Sequence, residues 1–262
     1  MLKQRVAVAA VGLPLLAALV AGPEQLFSAA VTLVLAAAAY ELVRATAPQS
    51  GHAAALAAAA LVALIAVAAR SVESFRLWVL VPPLVAAVVL VVVRPRAPGR
   101  PAAGWWVLAV LYGGALGGPW LLLRSAVDGA QWVVVALAAT FAADTGAYAA
   151  GRLFGRHLLA PAISPGKSWE GGAGGVVAGA TGAVAAVMLT GLDVDAGTAA
   201  VIAVGLPLAA IGGDLLESAI KRRAELKDMS ALLPGHGGLL DRLDSLLATG
   251  PLLYWLVRWF VT

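Results

Sequence analysis

Carboxylate, hydroxyl and basic side chains concentrate in a few short stretches of this sequence, and their spacing suggests one kind of chemistry. In IGGDLLESAIKRR, Asp214, Ser218 and Lys221 stand four and then three positions apart, so on a helix they lie on one face. In PGHGGLLDRLDS, Asp241 and Asp244 are three positions apart and would share the face of a helix. Carboxylates and hydroxyls suit a hard cation such as Mg²⁺, which often also contacts substrate phosphates. We therefore expect metal-assisted chemistry on a phosphate.

A third polar stretch, ISPGKSWEGG, is a candidate phosphate-binding loop. Its centre resembles the end of a P-loop, but Pro161 stands where that motif needs glycine and no predicted strand precedes it. What remains is a loop shaped by proline and glycine that could hold a phosphate chain. Its polar members are Ser164, Lys167, Ser168 and Glu170.

Asp144 stands inside a long apolar run, FAADTGAYAAG. Placing an ionisable group in the bilayer costs about 2.5–3.5 kcal/mol on insertion scales, so such a group faces a cavity or a partner. A structural hydrogen bond to a neighbouring helix is the alternative to a functional role.

The elements that position these residues are long apolar helices. The chain has 262 residues, of which 61% are hydrophobic and 12% charged, and its mean hydropathy is +0.92. Runs long enough to span a bilayer recur along the chain, which predicts an all-α, polytopic integral membrane protein with about nine transmembrane helices. The runs fall near 5–21, 26–42, 53–69, 77–93, 105–123, 132–150, 171–190, 197–216 and 245–261.

The placement of basic residues predicts the orientation. With the N-terminus in the cytoplasm, 14 of the 18 Lys and Arg residues lie on the inner side, as the positive-inside rule requires. This count favours a retained first helix over a cleaved signal peptide. We expect N-terminal membrane helices over 1–130 and a catalytic membrane region over 131–262, whose cytoplasmic loops are 151–170 and 217–244. The site should face the cytoplasm from the inner (plasma) membrane.

Composition also excludes several classes of chemistry. The chain has no cysteine, which rules out disulfides, thiolate catalysis and cysteine-bound metals. His236 has no second His or Cys nearby and is a weak zinc ligand. The net charge is only +4 and the basic residues lie in short loops, so no nucleic-acid surface is expected.

The segment from Ser218 to Asp244 resembles the signature of the phosphatidate cytidylyltransferases, also called CDP-diacylglycerol synthases. The matching positions are serine, Lys-Arg, Lys-Asp, His-Gly-Gly and Asp-Arg-apolar-Asp, as they stand in SAIKRRAELKDMSALLPGHGGLLDRLD. The segment from Asp144 to Gly172 is similar to an upstream block of that family, with Ser168 where threonine is more usual. The N-terminal half agrees only in consisting of membrane helices.

The resemblance implies transfer of a cytidylyl group from CTP to phosphatidic acid, giving CDP-diacylglycerol and pyrophosphate. It implies Mg²⁺ held by Asp214 and Asp241, with K⁺ as a second cation. The implied catalytic residues are Asp214, Asp241, Lys221, Asp244 and Asp144. The implied substrate-binding residues are Ser164, Lys167, Ser168, Glu170, Ser218, Arg222, Lys227, Asp228, His236 and Arg242.

Other functions and an assembly stay open at this point. A CTP-dependent enzyme acting on another lipid, such as a prenol kinase or an archaeal-type lipid cytidylyltransferase, would share much of this pattern. An ion-coupled transporter could use buried acids, but it has no need for the signature. A homodimer could pack through the glycine-rich seventh helix.

Overall fold

The computed structural model describes residues 2–71, 81–89, 102–232 and 237–261. Within these ranges the protein is helical, apart from one small β-hairpin and short 3₁₀ turns. The helices are α1 (Leu2–Ala21), α2 (Glu24–Thr46), α3 (Gly51–Ser71), α4 (Val81–Val88), α5 (Ala102–Ser125), α6 (Gly129–Phe154), α7 (Trp169–Thr190), α8 (Ala196–Arg223) and α9 (Leu246–Phe260). The strands are β1 (Leu158–Ala160) and β2 (Ser164–Ser168).

The predicted class of an all-α, polytopic membrane protein is confirmed. Six of the described helical segments are long and apolar enough to cross a membrane. They are Glu24–Thr46, Pro48–Ala69, Ala102–Ser125, Gly129–Phe154, Trp169–Thr190 and Ala196–Arg223. Part of the fourth predicted run, 77–93, lies outside the described residues. The total of nine spans and the cytoplasmic N-terminus remain predictions.

The chain divides into two compact units, and the first combines Met1–Leu122 with Ile220–Leu243. Its helices approach closely at glycines of α5. A Cβ on Gly117 would lie 2.3 Å from a methyl group of Leu35 on α2, and one on Gly113 would lie 3.2 Å from Val62 on α3. The indole N–H of Trp106 donates to the carbonyl oxygen of Ala54, 2.8 Å away. Small residues and one polar bond therefore join α5 to both earlier helices.

The second unit comprises Leu123–Ala219 and Asp244–Thr262. The glycines of α7 pack against α6, as the small-residue sequence predicts: a Cβ on Gly174 would lie 2.3 Å from Ala150 Cβ. Helix α9 is joined to α6 by a buried hydrogen bond of 3.1 Å from the Thr140 hydroxyl to the Thr249 hydroxyl. This contact places the start of α9 beside the middle of α6.

The sequence predicts a loop over 151–170, and the structure divides this segment further. Helix α6 continues to Phe154, and β1 then pairs with β2 in an antiparallel hairpin. Leu158 lies opposite Ser168 and Ala160 opposite Ser164, with an irregularity between the two pairs. The phosphate-loop candidate is therefore the second strand of a hairpin, followed at once by α7.

Helix α8 ends in a left-handed turn at Glu225, whose φ is +62°. The backbone N–H of Leu226 donates to the Lys221 carbonyl, and that of Glu225 donates to the Arg222 carbonyl. These two bonds form a Schellman motif, which satisfies helix-end carbonyls and reverses the chain. The segment that carries the rest of the signature starts from this reversal.

The expectation that Asp241 and Asp244 share a helix face is wrong. Asp241 lies in a 3₁₀ helix, Leu240–Arg242, whereas Asp244 lies in the turn before α9. The cause is local competition for backbone donors, because Asp244 Oδ1 accepts the N–H of Ser245 at 2.7 Å. A side chain that takes a nearby N–H in this way favours a turn over a continuous helix.

Candidate active site

In the second unit, an ion pair joins the hairpin to α8. The Lys167 ammonium lies 2.6 Å from Asp214 Oδ2, and the two side chains are 23% and 34% exposed. The Ser218 hydroxyl donates to Asp214 Oδ1 at 3.4 Å, one helical turn further along α8. The structure therefore brings together three of the predicted site residues. Asp214 and Ser218 are partly exposed, whereas the Lys167 ammonium nitrogen is buried against the carboxylate.

Two other residues of that stretch hold the hairpin in place. The Ser168 hydroxyl accepts the N–H of Gly171 at 3.1 Å and so caps α7. Glu170 accepts backbone N–H groups from Arg156 at 3.1 Å and from His157 at 3.2 Å, and its other oxygen lies 2.6 Å from His157 Nδ1. These contacts tie the end of α6 to the start of α7 and fix the strand that carries Lys167.

Asp144 lies on α6 beside the start of α9. The Ser245 hydroxyl donates to Asp144 Oδ1 at 3.4 Å, while the Ser245 N–H donates to Asp244 Oδ1 at 2.7 Å. Asp144 is exposed and Ser245 is buried. Ser245 therefore links the two predicted acids, Asp144 and Asp244. Asp144 makes this hydrogen bond between helices and still has an exposed surface.

In the first unit, Asp241 is the centre of a network of donors. Its Oδ1 lies 2.9 Å from the Lys221 ammonium. Its Oδ2 accepts the N–H of Met229 at 2.9 Å and that of Gly238 at 2.7 Å. Gly237 has φ +80°, and a Cβ there would lie 2.8 Å from the same Oδ2. Glycine is therefore required at 237 both for its backbone conformation and for the space beside the carboxylate.

The remaining predicted residues lie around these networks. Ser164 is the half-buried first residue of β2. Arg222 is exposed and donates to the Leu226 carbonyl at 3.4 Å. The exposed predicted residues of the signature segment also include Lys227, Asp228 and Arg242. His236 lies outside the described residues.

Sequence analysis missed Glu41, a buried acid on α2 whose carboxylate accepts the N–H groups of Leu239 and Leu240. The signal was present, because Glu41 stands at the end of the apolar run 26–42. An ionisable residue in such a run needs a partner, which is the argument that singled out Asp144.

The donor groups allow a test of whether magnesium fits. Among the residues that the structure describes, no group of three or more His, Cys, Asp or Glu side chains is arranged to hold a metal. Mg²⁺ is commonly held by one or two carboxylates plus substrate phosphates, and Asp214 suits that role because it is partly exposed with a hydroxyl beside it. Asp241 suits it less well, since its two oxygens already face three donors.

The family model and the individual relatives that match this chain are all cytidylyltransferases. Residues 3–260 match the model of the Cytidylyltransferase family. A phosphatidate cytidylyltransferase of Mycobacterium bovis is 48% identical over 121 residues, which are 46% of this chain and 39% of that protein. One of Pseudomonas aeruginosa is 37% identical over 183 residues, covering 59% of this chain and 68% of that protein. One of Haemophilus influenzae is 46% identical over 115 residues, covering 42% of this chain and 40% of that protein.

The alignments to the mycobacterial relatives span less than half of those proteins' length. The family match, in contrast, extends over nearly the whole chain, including the N-terminal helices in which the sequence alone gave no recognisable motif. On this evidence the chain belongs to the cytidylyltransferase family.

Proposed function

We propose that this protein transfers a cytidylyl group from CTP to phosphatidic acid, forming CDP-diacylglycerol and releasing pyrophosphate. The observation that carries the proposal is a pair of lysine–aspartate contacts, Lys167 with Asp214 and Lys221 with Asp241. Lys167, Lys221 and Asp241 lie in the two segments that resemble the family, and Asp214 lies four residues before the second of them. Family membership and the names of the relatives support the same activity.

The reaction asks for electrostatic stabilisation more than for a strong base. A phosphate oxygen of the lipid attacks the α-phosphorus of CTP, and the bond from that phosphorus to the oxygen bridging to the β-phosphate breaks. The attacking group is already an anion, so the main barrier lies in bringing anions together and stabilising the charge on pyrophosphate. Lys167 and Lys221 would supply that stabilisation.

The aspartates keep those lysines in position before the substrates arrive. Each ammonium is held within 3 Å of a carboxylate oxygen, at 2.6 Å for Lys167 and 2.9 Å for Lys221. Long lysine side chains otherwise lose rotamer freedom when they bind a ligand, and preorganised charges lower that cost. The Lys167 ammonium nitrogen is buried against Asp214, so a triphosphate or cation that binds Asp214 would have to displace it to contact it directly.

A divalent cation is part of the proposal, with Asp214 as its principal ligand and Asp241 as the second ligand implied by the signature. When bound, Mg²⁺ would neutralise phosphate oxygens of CTP and K⁺ would add a second positive charge. The carboxylate and hydroxyl oxygens of Asp214 and Ser218 are the hard donors that Mg²⁺ prefers. Asp241 also holds the backbone around it, and it would bind the cation through Oδ1 in exchange for the Lys221 ammonium.

The membrane setting of the proposal follows from the charge distribution. The exposed cations Arg222, Lys227 and Arg242 belong to the predicted cytoplasmic segment 217–244. There they would meet the phosphates of CTP and of the lipid head group at the membrane surface, with Arg222 as the candidate for the lipid. We infer that the site faces the cytoplasm from the inner membrane.

The deciding experiment measures pyrophosphate release by the full chain purified in detergent. CTP, phosphatidic acid, Mg²⁺ and K⁺ are supplied together and then omitted in turn, and the lipid product is identified by mass. Release that requires CTP, phosphatidic acid and Mg²⁺ together, with CDP-diacylglycerol formed, supports the proposal. Release only with another lipid acceptor, or phosphate transfer without pyrophosphate as in a prenol kinase, would replace it with that activity.

A further inference from the structure

Glu41 is a buried acid whose surroundings are made of donors from the signature segment. It lies on α2, five residues before the helix ends at Thr46, and is 7% exposed. Its carboxylate accepts the N–H of Leu239 at 3.0 Å and that of Leu240 at 2.7 Å, and it also accepts the hydroxyl of Ser230. All of these residues belong to the first unit.

These donors explain how a charge can be buried there. A carboxylate taken out of water is strongly destabilised unless hydrogen bonds replace its hydration, and bonds to a charged acceptor are about twice as strong as neutral ones. Glu41 receives three such bonds, two from consecutive backbone N–H groups. The same bonds fix the path of the chain through Leu239 and Leu240, since a backbone that moved would leave a buried charge unsatisfied.

Gly238 shows how closely the turn fits against this acid. A Cβ added to Gly238 would lie 2.5 Å from Glu41 Oε1 and 2.7 Å from its Oε2. Real Cβ atoms essentially never approach another heavy atom so closely, so the second glycine of the His-Gly-Gly motif leaves space for Glu41. The motif thus fits one helix of the N-terminal half, in which sequence analysis found no functional residue.

The turn that Glu41 holds is also the turn that Asp241 holds. The N–H of Gly238 donates to Asp241 Oδ2 at 2.7 Å, and Asp241 Oδ1 contacts the Lys221 ammonium at 2.9 Å. Glu41 and Asp241 therefore bind neighbouring backbone groups of residues 238–240. A shift of the turn away from Glu41 would move the carboxylate that positions Lys221.

We propose that Glu41 is a positioning residue for the active site: it fixes the turn 237–242 and, through Asp241, the ammonium of Lys221. This inference rests on the proposed cytidylyltransferase function for its catalytic consequence. Its structural part, the docking of the turn on α2, is independent of which substrate is used. Because Glu41 is buried and its carboxylate already accepts three donors, we assign it no direct contact with CTP or the lipid.

The first test replaces Glu41 in the full chain and reads both the turn and the reaction. Glu41→Gln has the same shape, but its amide places a donor where the carboxylate accepts a backbone N–H. We expect faster amide hydrogen exchange in peptides spanning 237–242, and a kcat about 10- to 100-fold lower with a smaller change in KM for CTP. Glu41→Asp keeps the charge on a shorter side chain and should recover part of kcat. Glu24→Gln, at the other end of α2, is the control and should match the wild type.

The second test adds a methyl group at Gly238, which would lie against the Glu41 carboxylate. Gly238→Ala should lower kcat in the wild-type background, whereas in a Glu41→Ala background it should add little, because the atoms it would strike are gone. Such non-additivity is the mark of a direct contact. Full additivity in this cycle would overturn the proposal even if Glu41→Gln failed to fold.

The outcomes separate this inference from the proposed function. An active wild type whose Glu41→Gln variant shows unchanged kcat and unchanged exchange over 237–242 would refute the positioning role and leave the function intact. A wild type without cytidylyltransferase activity would refute the function. Faster amide hydrogen exchange in the Glu41→Gln variant would then still support the docking of the turn on α2. Unchanged exchange would refute that docking as well.

Discussion

The contact between Asp241 and Lys221 allows a prediction with a magnitude. Asp241→Asn removes the negative charge that lies 2.9 Å from the Lys221 ammonium. The two side chains are only 3% and 15% exposed, so water can compensate little of the loss. Breaking a buried pair by removing one partner costs about 3–5 kcal/mol, and the partial exposure of Lys221 favours the lower end, about 3 kcal/mol.

The asparagine amide adds a second effect. Its NH₂ group must face either the ammonium or the two backbone N–H groups that donate to Asp241, from Met229 and Gly238. One donor then meets another, so a rotation of the amide cannot restore the network. We therefore expect Asp241→Asn to insert into the membrane normally, to unfold at a temperature about 6–12 °C lower, and to lose pyrophosphate release.

The assay is a double-mutant cycle with Lys221→Met, in which thermal unfolding in detergent is followed by tryptophan fluorescence. If the pair is coupled, the double variant should be more stable than the sum of the single losses predicts, by about 1–3 kcal/mol. Asp193→Asn, an exposed acid in the connector before α8, is the control and should change stability by less than about 0.5 kcal/mol. Additive losses, or full activity in Asp241→Asn, would refute the reasoning.

Three further predictions concern separate contacts. Asp214→Asn should lose pyrophosphate release across a full Mg²⁺ titration while its membrane yield stays at the wild-type level; activity restored by high Mg²⁺ would point to weakened binding of the cation instead. Gly174→Ala should lower the free energy of unfolding by about 1–3 kcal/mol, because the new Cβ would lie 2.3 Å from Ala150 Cβ. The control is Gly172→Ala, whose Cβ would have no atom within 4 Å and which should be neutral or slightly stabilising. Glu225→Gly should raise the thermal midpoint, since a left-handed φ of +62° costs a non-glycine residue about 1 kcal/mol; an unchanged midpoint would mean that the greater chain entropy of glycine offsets this gain.

The apolar runs predicted the helices well because a helix that crosses lipid must be long, continuous and apolar, and few other structures meet that condition. The site was harder to derive. The pairing of Lys167 with Asp214 joins residues 47 positions apart in sequence through a hairpin, and no periodicity encodes such a contact. The turn between Asp241 and α9 was mistaken for a helix because spacing alone cannot show that Asp244 takes the N–H of Ser245.

The polar residues of the signature differ in what their oxygens already bind, and this difference separates structural from chemical roles. Ser168 and Glu170 accept backbone N–H groups and so fix the hairpin that carries Lys167. Asp241 accepts the backbone N–H groups of Met229 and Gly238 and contacts the Lys221 side chain directly. The ion pair between Asp214 and Lys167, in contrast, involves only side-chain atoms, and both side chains are partly exposed.

A ligand could therefore reach Asp214 by displacing one side chain, that of Lys167. At Asp241 only Oδ1 is held by a side chain, that of Lys221, while Oδ2 accepts two backbone N–H groups that a ligand would have to break. Substitutions in the first group should consequently lower stability and activity together, while conservative changes at Lys167 or Asp214 should lower kcat with the fold preserved. The chain thus combines residues that fix the local backbone with an ion pair made by side chains alone, and preorganised electrostatic catalysis uses both kinds of residue.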